Sequence, residues 1–109
     1  MSDIQNEELG RRRFQIRKEK AVEDACERIR RANAEEWEAL SHKDRDVLRE
    51  VLGETWSRTD NTEWGSFAFS AIPWQKVRSL ITIGNQIKTG TKNPDVAFKD
   101  LNDILNMNR

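Results

Sequence analysis

Cysteine is nearly absent. The 109 residues hold one, Cys26, so no intrachain disulfide framework exists, and a reducing compartment is the simplest fit. One cysteine and one histidine, His42, cannot make a structural zinc site. Proline occurs twice and glycine five times, and neither occurs between Arg11 and Ala39. No window approaches ~18 consecutive apolar residues, so no transmembrane helix and no membrane partner are expected. The polar opening Met1-Ser2-Asp3 lacks the apolar stretch of a secretory signal, and the expected localisation is cytoplasmic. Net charge is missing too. Nineteen basic and nineteen acidic residues cancel, which argues against a protein that coats nucleic acid, because such chains read as basic overall. There is no P-loop, no G-x-G-x-x-G and no calcium-loop pattern, so no cofactor is expected. The adjacent carboxylates Glu35 and Glu36 point different ways on a helix.

What is abundant is charge, at 35% of residues, with an apolar fraction of only 36%. The length fits one domain with one modest core. The charges are uneven. Residues 1–10 carry three acids and no bases, 11–31 a net of +5, 32–63 a net of −5, and 64–109 a net of +3.

These features predict an all-α fold of four helices. Residues 1–10 read as a flexible acidic lead, and 11–109 as a single helical domain. The first helix is expected over about 11–39, rich in Arg, Lys, Glu and Ala. Val22, Ala25, Cys26, Ile29 and Ala32 recur at one-face spacing along it. At 1.5 Å per residue it would be ~44 Å long, so it must project beyond the body or lie along a second copy. Ser41 and Asp44 form a capping-box variant before a second helix, about 42–57, with Val47, Leu48, Val51, Leu52 and Trp56 inward. Residues 58–72 read as an irregular aromatic loop, with turn signals at Asp60-Asn61 and Gly65-Ser66 and a short extended piece at Phe67-Ala68-Phe69. A third helix, about 73–89, starts at Pro73 and ends before Gly90. Asn93-Pro94-Asp95 starts a fourth, about 94–106, burying Val96 or Ala97, Phe98, Leu101, Ile104 and Leu105.

Several candidate surfaces emerge. The basic cluster is Arg11, Arg12, Arg13, Arg17, Lys18 and Lys20. It reads either as a solvated helix face or as a footprint for phosphate or an acidic protein surface. Asp24–Arg28 and Glu27–Arg31 have the favourable i,i+4 order, and Lys20 has Glu23 and Asp24 within reach. Arg13, Arg17 and Lys18 have no acid three or four residues away. The aromatic segment, Trp64, Phe67, Phe69 and Trp74, holds half of the eight aromatics. Core packing is its first reading and a protein-contact loop its second, with Trp64, Phe67 and Phe69 as contacts. It holds no Lys or Arg, against a base-stacking role. The last two helices resemble a helix-turn-helix only in spacing. Asp95, Asp100 and Asp103 would face phosphates, so an ordinary αα-hairpin is expected. Cys26 reads as a buried inert thiol, since a nucleophile needs a base beside it. The acids Glu35, Glu36, Glu38, Asp44, Asp46, Glu50 and Glu54 read as a solvated face, or as a dock for the basic end of a second copy.

The expected function is that of a small non-enzymatic regulatory or interaction protein. It would bind another macromolecule, a protein first, through the basic N-terminal helix and the aromatic loop. A homo-oligomer built through the long helix is a further expectation. The alternative is a nucleic-acid-associated regulator whose basic helix contacts phosphates.

Overall fold

A computed structural model describes the backbone of residues 2–58 and 69–106, and side chains over 10–58 and 69–105. The helices are α1 (Ser2–Ala32), α2 (Ala34–Glu38), α3 (His42–Arg58), α4 (Trp74–Lys88) and α5 (Pro94–Asn106), with one 3-10 turn at Phe69–Ala71. No strand occurs among the described residues. The all-α class and the long N-terminal helix are as expected. Trp64 and Phe67 lie outside the described residues.

α1 differs from its expected span at both ends, running Ser2–Ala32 instead of 11–39. Its end is set by Asn33, which leaves helical geometry at φ −137° and ψ 54°. Asn is a weak helix former because its amide competes for local backbone groups. Here the Asn33 Nδ2 donates to the carbonyls of Ile29 at 3.3 Å and Ile72 at 3.1 Å. The second bond ties the end of α1 to the strap before α4. The short α2 that follows buries Trp37, whose ring lies under the Arg45 guanidinium at 5.6 Å. Arg45 also donates to the Trp37 carbonyl at 3.0 Å.

α3 starts as its sequence implies, the Asp44 amide donating to Ser41 Oγ at 3.1 Å. It is the central helix, packed against α1, α4 and α5. Val47, Leu48, Val51, Leu52 and Trp56 are all buried, and so is Thr55, whose hydroxyl donates to the Val51 carbonyl at 2.8 Å. Gly84 of α4 lets α4 cross α3 closely. A Cβ there would stand 2.3 Å from Val51 Cγ2 and 2.6 Å from Val47 Cγ1.

Phe69 opens the 3-10 turn instead of ending an extended piece. It is buried at 3% exposure in the core, with Ile72 beside it in that class, and the turn packs on α1. The low apolar content explains this: the core draws its ring from the connection, so Phe69 offers nothing to a partner. Gly90 takes the left-handed φ of 77° expected just past α4. Asn93 Oδ1 accepts the Asp95 amide at 2.8 Å and caps α5. α5 buries Ala97, Leu101 and Leu105 and leaves Val96 outside at 56% exposure.

Candidate functional site

α1 is anchored along only part of its length. Among the described residues its buried ones are Val22, Ala25, Cys26 and Ile29, all in the second half. Ahead of Val22 the described side chains touch the body at few places. Phe14, still 41% exposed, tilts against Trp56 with ring centroids 5.1 Å apart. The Lys18 stem crosses Gly53, where a Cβ would meet Lys18 Cε at 3.0 Å. Thirty-one helical residues measure ~46 Å, against body extents of 50 × 31 × 30 Å. The long axis of the molecule is thus essentially the length of α1.

Helical periodicity sorts the basic cluster into distinct surfaces. Arg13, Ile16, Arg17 and Lys20 fall on the side opposite the buried line through Val22 and Ile29. All four are exposed, Ile16 at 62%. Arg11 continues the buried line but lies past the end of the body and is exposed, as is Arg12 on the flank. Lys18, grouped by sequence with Arg13 and Arg17, is half-buried on the opposite side, over α3. The structure therefore brings Arg13, Arg17 and Lys20 together and separates Lys18 from them. Ile16 was not singled out by sequence. Its signal is that it lies more than a third of a turn away from the stripe that predicts the core.

The second half of α1 treats charge differently. Arg28 pairs with Asp24 at 3.1 Å, and Glu27 receives both Arg30 and Arg31, the latter at 3.0 Å. The Glu27 carboxyl is held below its ordinary range, first by the Arg30 hydrogen bond and then by that of Arg31. Glu23 reaches across to Arg49 of α3 at 3.1 Å. Lys20 thereby loses both of its expected acids. Among the described residues, none of Arg11, Arg12, Arg13, Arg17, Lys18 and Lys20 makes an ion pair.

Between α1 and α3 runs a groove of about 420 Å³, lined by Lys18, Glu19, Val22, Glu23, Arg49, Glu50, Gly53 and Glu54 together with Gln15. Its acids outnumber its bases by four to two. Arg49 is engaged by Glu23 and, at 3.6 Å, by Asp46. Glu54 is engaged by Arg58, which also bridges to Asp95 of α5 at 2.8 Å. Those two contacts raise the Arg58 pKa, Asp95 contributing most. In the α4–α5 hairpin, Asp100 is likewise paired with Lys92. Two acids of the nominal reading helix are therefore spent inside the molecule.

Burial pushes the Cys26 thiol up to about 12, so it is a neutral packing group near pH 7. Among the described residues, no group of three or more His, Cys, Asp or Glu is arranged to hold a metal ion. No helix among them is long and apolar enough to cross a membrane. No protein-family model matches the chain, and no curated protein and no solved structure is detectably similar to it.

Proposed function

We propose that this protein is a non-enzymatic interaction module that binds an acidic protein surface through the face of α1 that points away from the core. The observation that carries the reading is the exposed set Arg13, Ile16, Arg17 and Lys20, three cations with no acid at ion-pair distance among the described residues. Arg13 and Arg17 are like charges at i,i+4, an arrangement that costs a few tenths of a kcal/mol in a free helix. An external anion relieves it. Ile16 lies between the cations and supplies apolar area to be covered, which suits a protein surface better than a phosphate lattice. The overall neutrality of the chain points the same way. The inert Cys26 thiol supports a role without nucleophilic chemistry.

The test places a photo-crosslinking amino acid at Ile16 in the full chain, in its native cells. The expected result is a discrete protein adduct that disappears when Arg13→Glu and Arg17→Glu are added. Adducts unchanged by the charge reversal would overturn the reading. So would tight binding of DNA or RNA that weakens steeply with salt, an outcome that would favour phosphate recognition instead.

A further inference from the structure

We propose that the acidic protein surface is a second copy of the same chain, whose α1–α3 groove receives Arg13, Ile16 and Arg17 of its neighbour. This rests on the reading of the α1 face above and names its partner. The argument is charge complementarity. Arg13 and Arg17 are four residues apart, one helical turn, with Ile16 between them. Of the groove's four carboxylates Glu23 is held by Arg49 and Glu54 by Arg58, which leaves Glu19 on α1 and Glu50 on α3, one on each wall. Glu19 accepts only the Gln15 amide, at 3.2 Å. Neither Glu19 nor Glu50 has a cation at ion-pair distance among the described residues. Val22 and Gly53 form the base of the groove, under the Lys18 stem. Of the groove's two cations, Arg49 serves Glu23 and Asp46, and Lys18 lays its stem over Gly53 with no ion pair among the described residues.

The two surfaces use different positions of α1, namely 13, 16, 17 and 20 against 15, 18, 19, 22 and 23. At about 100° per residue their centres lie more than a third of a turn apart. One copy thus presents both surfaces at once. The contact is heterologous, and such contacts build rings or open chains instead of stopping at a two-fold dimer.

Sedimentation of the full chain tests this. Wild type is expected to grow beyond a dimer with rising concentration, and to associate at least about tenfold more weakly as salt rises from about 50 mM to about 500 mM. R13E/R17E alters only the face, and E19K/E50K only the groove. All four positions are exposed, and circular dichroism checks that each variant is folded. Each variant alone should be monomeric, because like charges then meet. An equimolar mixture should associate again, since acidic faces meet basic grooves and basic faces meet acidic ones. A wild type that stays monomeric at millimolar concentration in low salt overturns the proposal, as does a mixture that stays monomeric. If the wild type is monomeric while the probe at Ile16 still captures a different protein, only the self-partner falls. If it captures nothing, the reading of the face falls with it.

Discussion

Replacing Gly84 by alanine probes the packing that makes α3 the centre of the fold. The added Cβ would lie 2.3 Å from Val51 Cγ2 and 2.6 Å from Val47 Cγ1. Ordinary carbon–carbon contact begins near 3.5 Å, so each pair must open by about 1 Å. The valines cannot simply turn away. Both are β-branched residues in a helix, where one χ1 rotamer dominates, and both are at most 3% exposed. Nor can the crossing widen without loosening Leu48 and Leu80, both at 0% exposure. Overpacking of this kind costs about 1–3 kcal/mol, and two stiff contacts place it near ~3. Better helix propensity returns ~1 kcal/mol. The net loss is then ~2 kcal/mol, a large share of a total that is commonly 5–15, and worth about 10 °C in Tm for a domain this size.

Urea unfolding followed by tryptophan fluorescence reads the loss as a lower midpoint at unchanged slope. The triple variant G84A/V47A/V51A should be more stable than the sum of its parts, because truncating the valines removes the clash. An unchanged or raised midpoint for G84A would refute the close crossing. Gly10→Ala is the control, since a Cβ there meets nothing within 4 Å.

Asn33→Ala should destabilise the protein by ~1 kcal/mol in the same assay, since it strands the Ile72 carbonyl that Asn33 satisfies across 39 residues; a change within error would show that water replaces the amide. Cys26 should make stability fall at alkaline pH. Its folded-state pKa is raised by burial from 9.0 to about 12, so its contribution is full below pH 9 and is lost as pH rises toward 12. Urea midpoints of wild type and Cys26→Ala should then diverge only above pH 9, and parallel curves would contradict the burial.

The helix punctuation was legible because each cap is a short-range event. Ser41 before α3, Gly90 after α4 and Asn93 before α5 act within a few residues of where they stand. The buried stripe of α3 was legible because a 3.6-residue period leaves little choice of face. The break at Asn33 was not, because it depends on Ile72, a partner 39 residues away that no local pattern reveals. Phe69 was ambiguous for a related reason. A ring in a connecting segment reads equally well as core or contact until the neighbouring helices show a vacancy for it. In the site, sequence found the bases but not their grouping. Lys18 looks equivalent to Arg13 and Arg17 by its lack of nearby acids, but helical periodicity places it on the side of the buried stripe, where its stem packs over Gly53 of α3.

The contrast within α1 bears on why its first half is helical at all. A free helix of that length is marginal in water, because nucleation is unfavourable. Here the second half supplies the nucleus, held by Val22, Cys26 and Ile29, and the first half only propagates from it. Selection for stability alone would lay acids four residues from each base, as the second half does with Asp24–Arg28 and Glu27–Arg31. Arg13 and Arg17 decline that arrangement at a point where the fold neither buries nor needs them. Their charge meets no acid at ion-pair distance among the described residues, and it is this unmatched pair of cations that the proposed docking would neutralise.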